Sequence, residues 1–539
     1  MLLTKKAESP SLDLIEFSFC NFKCFSQRTT IPLQPLTLIL GQNSCGKSSI
    51  LQILQIMAQT VACGDANRVL LFRSKVNNTD FGTFKDNIFN HETGSRLLQL
   101  RFTFANSLEV AELVELHQLI EFSTVSLEVD IASGNEGGDL KVPSFRIYCD
   151  DNATAEFTSK FSDEETDASR LEYVAGELSE QLLLNMYRRF KENDEDSAAF
   201  CAGTVSALLE RFPHLEDPLH KLLHEVVESL YAEEGFETFK HLCFYSRPTV
   251  TGLTNFLPTV RKIYTPGREM LVIDSEDDDY VDREIEMEEN FDHDRGLSFY
   301  GALPNLSLLL IVLSDQIANF LQQASFFGPV RSQPERFWLY APNVSSQVGR
   351  HGELMPATLY RNVALLEKVN KYLDDPLDIG YTVRVETSVI DPELFQIQLR
   401  ETTRDDAPWI NLCDVGYGIS QLLPIVVQVA LPNFQTIIIE QPELHIHPAL
   451  QARLGKLFAD AIKHDGKKFV VETHSEHLIL RLLRLVRQDR LSAQNLCLLS
   501  IQKTTLGSRE SRIRVNEDGD FIDAWPEGFF PDRLRELLD

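Results

Sequence analysis

Apolar and polar positions divide the chain into two informative ends and an obscure middle. Leu36-Thr-Leu-Ile-Leu40 is a short apolar run that reads as a buried strand. It enters a loop at Gly41, and from Ser48 to Thr60 the residues Ile50, Leu51, Ile53, Leu54 and Met57 recur at helical spacing. Leu98, Leu100, Phe102 and Phe104 alternate with polar neighbours, which predicts a half-exposed antiparallel strand. A second alternating pair is Tyr381, Val383, Val385 and then Phe395, Ile397, Leu399, with Asp391-Pro392 between them as a turn signal. From Asn411 the pattern becomes α/β: helix Ser420 to Ala430, strand Thr436 to Ile439, helix Pro448 to His464, strand Lys468 to Val471, helix Glu476 to Arg487. Strands alternating with helices imply a mostly parallel sheet covered on both faces.

The expected fold class is therefore α/β, a mostly parallel sheet with an antiparallel β subdomain. Residues 105 to 325 read as a large, mainly helical insert with acidic loops, flanked by an N-terminal lobe (12–104) and a C-terminal lobe (326–539). No heptad pattern in the insert lasts long enough for a long coiled coil.

Composition narrows the class. At 539 residues, with 43% hydrophobic and 24% charged positions, the chain has the balance of a soluble globular protein with several cores. The longest near-apolar run, Leu306 to Leu313, is too short to span a bilayer, and the N-terminus lacks a signal peptide's apolar segment. Nine scattered cysteines without a CxxC pair read as reduced thiols, so a cytoplasmic location is expected. A net charge of −29 argues against a protein that coats nucleic acid nonspecifically. Twelve acids against one arginine between Asp274 and Asp294 carry −11 of it, which reads as a solvated loop or a docking strip for a basic partner.

Four motifs carry chemistry. Gly41-Gln-Asn-Ser-Cys-Gly46-Lys47-Ser48 matches GxxxxGK[ST] between an expected strand and an expected helix, as a phosphate cradle requires. The glycines let backbone N–H groups face phosphates at the positive end of the helix. Asn43, Ser44, Cys45, Gly46, Lys47, Ser48 and Ser49 are the expected nucleotide-binding residues. Lys47 would meet the β and γ phosphates and Ser48 would ligate Mg²⁺. Thr436-Ile-Ile-Ile-Glu440-Gln441-Pro442-Glu443 is a buried strand ending in an acid, the Walker B arrangement, with Glu440 as the second Mg²⁺ ligand. Val471-Glu472-Thr473-His474 ends a strand in a histidine placed to reach a γ-phosphate. Asp414-Val-Gly416-Tyr-Gly418-Ile-Ser420-Gln421 opens a helix and forms another anion site. One nucleotide cannot occupy two helix N-termini of the same sheet, so Gly416, Gly418, Ser420 and Gln421 are expected to close on the ATP of a second subunit.

The order P-loop, long insert, Gly-Ser signature, Walker B and His switch resembles the ABC-type ATPases of the SMC, RecF and OLD group. The strings NFKCF (Asn21 to Phe25), GQNSCGKSS, GPVRSQPER (Gly328 to Arg336), VGYGISQLLP, EQPELHIHP, THSEHLILRL and WPEGFF (Trp525 to Phe530) resemble one bacterial branch. That branch is the PtuA family, the ATPase subunits of Septu and retron-associated Septu anti-phage systems. The resemblance covers roughly 12–104 and 326–530. It implies an ABC-type ATPase head, a homodimer with two sandwiched ATPs, and a separate HNH nuclease subunit. In retron versions a reverse transcriptase and its RNA-linked DNA join.

One departure bears on mechanism. The ABC pattern places a glutamate after the Mg²⁺-binding acid as general base, and here that position is Gln441, which orients water but accepts no proton. Either Glu443 substitutes or turnover is slow, with ATP acting as a clamp that restrains a nuclease; slow turnover is the favoured expectation. Glu440, Gln441, Glu443 and His474 are the candidate catalytic residues. Asp80 to Phe84 lies where a Q-loop would fall and is assigned no chemistry.

Weaker signals read as structural. His445, His447, His474 and His477 are explained by their motif contexts without zinc, and His220 and His224 by an apolar helix face. Arg481, Arg484, Arg487 and Arg490 recur every three residues as a solvated stripe or a contact for nucleic acid or the nuclease. Only 65 residues follow His474, too few for a TOPRIM nuclease, and no HNH pattern is present. Two alternatives stay open: a RecF- or SMC-like DNA-repair ATPase, and an ATP-gated scaffold that does not hydrolyse.

Overall fold

The computed structural model describes residues 13–65, 68–75, 79–93, 96–105, 123–133, 140–159, 172–178, 184, 187–188, 249–251, 253–254, 257–258, 262–265, 268–271, 302–340, 347–360 and 362–525. The acidic run 274–294, His220, His224 and residues 526–530 of the WPEGFF string lie outside these. Two compact units are formed, one from 1–19, 63–71 and 93–319, the other from 20–62, 72–92 and 320–539.

The first unit contains a sheet in the order Thr249–Thr251, Glu172–Leu178, Asn152–Ser159, Leu140–Cys149, Thr124–Ser133, Leu98–Ala105, Leu14–Cys20. From Thr249–Thr251 to Leu98–Ala105 each neighbouring pair is antiparallel. Leu98–Ala105 buries every second residue, as its alternation predicts. Residues 124–133, 140–149, 152–159 and 172–178, expected as helices, are strands. The cause is a buried charge network: Arg146 bonds Glu128 (3.2 Å), Asp130 (2.9 Å) and Glu156 (2.7 Å) on the neighbouring strands. Satisfied across the sheet, these polar residues are tolerated at buried strand positions and mask the period-two pattern. The helix Ala302–Gln322 falls where helix was expected.

The second unit is built on a six-stranded sheet. Its elements are β1 (Leu36–Gly41), α1 (Lys47–Ala62), β2 (Ala324–Phe327), α2 (Val363–Asp374), β3 (Tyr381–Thr387), β4 (Leu394–Glu401), α3 (Tyr417–Ala430), β5 (Thr436–Glu440), α4 (Pro448–Asp465), β6 (Lys468–Glu472), α5 (Glu476–Arg487), β7 (Leu496–Thr504) and β8 (Gly507–Ile513). Strand order is β2-β5-β6-β1-β7-β8, parallel except for the antiparallel edge β8. β1 and β5 are fully buried apolar runs up to their last residue, as strands of a sheet covered on both faces must be. α3, α4 and α5 share one core with β1, β5 and β6 through Leu422, Ile425, Leu454, Phe458, Leu478 and Leu482. The alternating segments form the antiparallel pair β3–β4, register Val383 to Leu399.

Boundaries moved little. The P-loop helix begins at Lys47, the signature helix at Tyr417 rather than Ser420, and β5 and β6 each extend one residue, to Glu440 and Glu472. Those two single-residue extensions define the site.

Candidate functional site

Parallel strands end together, and their carboxyl ends are where an α/β sheet holds ligands. β1 leads into the loop Gly41 to Gly46, and α1 starts directly after it. The loop turns through positive φ at Gly41 (142°), Ser44 (58°) and Gly46 (106°), which aims successive amides into its concavity. Gly46 also has no room for a side chain: a Cβ there would lie 2.4 Å from Cys24 Sγ and 2.9 Å from the Phe25 ring. The NFKCF string is thus the floor beneath the cradle. The far edge is tied down by the Ser508 hydroxyl, which donates to the Cys45 carbonyl at 2.6 Å. Burial pushes the Cys45 thiol above its ordinary value, so it packs rather than reacts.

Lys47 is buried and its ammonium donates to the Gln42 carbonyl at 2.8 Å, lying along the loop. Ser48 hydrogen-bonds the Glu472 carboxylate. Glu440 and Glu472 are register partners at the ends of β5 and β6. Both are buried, at 8% and 2% exposure, which leaves water little part in their solvation. Burial, reinforced by Glu472, pushes the Glu440 carboxyl up to about 7, and burial also raises Glu472. Arg350 approaches Glu440 Oε1 at 3.6 Å. Arg331 is buried beneath Glu440 and Gln441 and donates to both their carbonyls, at 3.3 and 3.2 Å; burial holds it down to about 10.

Gln441 leaves β5 with a φ of 44°. Its N–H donates to the Glu472 carbonyl at 2.8 Å and its side-chain amide lies 3.4 Å from Glu472 Oε1. Both Glu443 oxygens are engaged: Thr473 Oγ1 donates at 2.8 Å and the His474 N–H at 2.6 Å. Glu443 therefore clasps the turn after β6. The His474 ring is held below its ordinary value by burial and then by Lys47, so it is neutral at pH 7, and its Nε2 is buried without a hydrogen-bond partner.

The sheet brings the P-loop, Glu440, Gln441, Glu443 and His474 together. The signature stands apart. Gly416 caps α3 and is exposed with Tyr417, while Ser420 turns inward, its hydroxyl donating to the Tyr417 carbonyl at 2.7 Å. Gln421 is buried. Gly418 sits against the segment after β5, where a Cβ would meet the His445 carbonyl at 2.9 Å. Tyr417 packs edge-on against His445. His447 caps α4 by accepting from the Ala449 N–H at 3.2 Å. Of the arginine stripe, Arg487 at the end of α5 pairs with Asp520, and Arg490, beyond the helix, pairs with Asp460, as a solvated face does.

Sequence reasoning passed over Glu472, Arg331 and Arg350. Glu472 carries the same signal that identified Glu440, an acid closing a buried apolar strand. The arginines gave no comparable signal, because only the fold brings Arg331 and Arg350 to the end of β5.

Two family models match the chain. Residues 13–199 match an AAA ATPase domain, and residues 273–481 match an AAA domain described as a putative AbiEii toxin of a type IV TA system. No curated protein matches. Similar solved structures include an SMC head domain from Pyrococcus furiosus bound to the C-terminal domain of ScpA, with 11% identity and TM-score 0.36, covering 94% of this chain and 97% of that one. Another is the SMC head domain from Thermotoga maritima, with 11% identity and TM-score 0.36, covering 93% and 99%. The P-loop between β1 and α1, taken with the two AAA models, defines the class: the chain is a P-loop ATPase with an ATPase head of mixed α/β fold. Among the described residues no helix is long and apolar enough to cross a membrane.

Proposed function

We propose that this ATPase is a slow, ATP-clamped regulator that dimerises around nucleotide and restrains a partner nuclease in an anti-phage defence complex. The observation that carries the slow clamp is the state of the two base candidates. Gln441 is an amide, and the carboxylate of Glu443 is committed to Thr473 and His474. Gln441 accepts no proton, and Glu443 is held at the turn after β6 by a hydrogen bond on each of its oxygens. Gln441 is left to orient water beside Glu472, and Glu443 to hold the His474 turn.

The residues fit a magnesium nucleotide. The donors gathered at the strand ends are oxygens only, from Ser48, Glu440 and Glu472, which suits a hard cation. Among the described residues no three His, Cys, Asp or Glu side chains gather as a metal cluster, so phosphates and water would complete the coordination. When bound, Mg²⁺ would neutralise charge on the β and γ phosphates. The P-loop amides and Lys47 would hold those phosphates, and the neutral His474 ring would meet the γ-phosphate through its unpartnered Nε2.

Dimerisation is supported by the second helix N-terminus at Gly416, exposed at the start of α3 while the P-loop has its own helix terminus. The partner reading rests on the resemblance of the motif strings to PtuA. It implies an HNH nuclease subunit and, in retron versions, a reverse transcriptase with RNA-linked DNA. Phage challenge of cells carrying this gene with its neighbouring genes tests this directly: protection lost on deleting a neighbouring nuclease gene is expected. Protection that needs this chain alone would exclude the restraint of a partner.

A further inference from the structure

We infer that Glu472 is a second carboxylate ligand of the cation site, and that with Glu440 and Ser48 it lets the chain bind a divalent cation before nucleotide arrives. This rests on the P-loop ATPase reading and adds to it a residue that the P-loop and Walker B motifs do not include. Those motifs supply one hydroxyl and one acid, and Mg²⁺ then depends on substrate phosphates for most of its binding. Here three protein oxygen groups converge.

The geometry is specific. Glu472 lies opposite Glu440 in a parallel register, on strands that sit about 4.8 Å apart. The Ser48 hydroxyl bonds the Glu472 carboxylate directly, which joins the P-loop helix to the β6 end. The Gln441 amide lies 3.4 Å from Oε1 of that carboxylate, and the other oxygen, Oε2, is buried with no hydrogen-bond partner. A carboxylate oxygen without a donor is costly in a residue only 2% exposed. Two acids side by side in such a place repel each other; Arg350 lies 3.6 Å from Glu440 Oε1, Arg331 also acts on Glu440, and Lys47 acts on Glu472. A small dication satisfies Oε2 and removes the repulsion in one step. A purely architectural Glu472, serving as an acceptor for Ser48 and Gln441, would instead leave cation binding untouched when replaced by an isosteric amide.

The experiment is a Mn²⁺ titration of the full chain without nucleotide, followed by electron paramagnetic resonance. The wild type is expected to bind one Mn²⁺, and Glu472→Gln to weaken that binding by about tenfold or more, with Glu440→Gln behaving alike. Addition of Mg²⁺ to the nucleotide-free wild type should also slow hydrogen exchange at the ends of β5 and β6, a readout that needs no variant. A wild type that takes up Mn²⁺ only after nucleotide is added overturns the inference. So does a Glu472→Gln chain, folded by its circular dichroism, that binds Mn²⁺ as the wild type does. Binding of a fluorescent ATP analogue, compared between wild type and Lys47→Ala, tests the ATPase reading separately: loss of that difference removes the reading, whereas a retained difference with unaltered Mn²⁺ binding removes only the role of Glu472.

Discussion

Gly46 and Gln441 show how much chemistry a single position decides. Gly46 is hemmed in by Cys24 and Phe25 and holds a φ of 106°, so an alanine there must either push the P-loop outward or displace its floor. Gly46→Ala is expected to weaken binding of a fluorescent ATP analogue at least about tenfold, a loss of about 1.4 kcal/mol. Binding within twofold of the parent would show that the loop has slack that the contacts deny. On the proposed reading, Gln441 and Glu443 divide the roles left by the missing glutamate. Gln441→Ala should slow residual hydrolysis by removing the amide that orients water, and Glu443→Ala should loosen the turn that holds His474. A Gln441→Ala chain as fast as the parent beside a dead Glu443→Ala chain would instead make Glu443 the base. Lys47, Ser48, Glu440 and His474 were legible in the sequence because each sits at a fixed offset from a buried strand or a glycine loop. The tethering of Glu443 was not legible, because it depends on a hydrogen bond to the β6 turn thirty-one residues away.

Elements were legible where burial is uniform. β1, β5 and β6 read as apolar runs because both faces of each are covered, and α5 reads as a helix with its Ser475 cap in place. The strands between 124 and 159 were missed for the opposite reason: Glu128 and Asp130 are buried in the sheet at 2% and 0% exposure, and only the fold supplies Arg146 to them. Arg146→Ala should leave these acids uncompensated and cost about 3–5 kcal/mol. Hydrogen exchange localised to 124–159 measures this, and a loss below about 1 kcal/mol would mean that Ser144, Tyr148 and Gln99, which also bond the two acids, hold them unaided. The floor of the P-loop was hidden for a related reason, since Cys24, Cys45 and Ser508 meet across most of the chain length.

At the scale of the whole molecule, the ATPase class follows from one sheet that collects a P-loop from the N-terminal end and its acids and histidine from the C-terminal end. Gly416 stands at a different helix terminus, and in the proposed dimer a second copy would bring it to nucleotide. Sedimentation of the full chain should show a dimer with Mg²⁺ and ATP and a monomer for Lys47→Ala. A wild type whose mass does not change with nucleotide would exclude an ATP-closed dimer. The central claim, an ATP-binding enzyme held slow by Gln441, is tested most directly by following ATP bound and ADP released over time on the purified chain. Tight retention of ATP is expected, with turnover well below the enzyme median of about 10 per second, and neither binding nor turnover for Lys47→Ala. Turnover at or above that median, unchanged by Gln441→Ala, would contradict it.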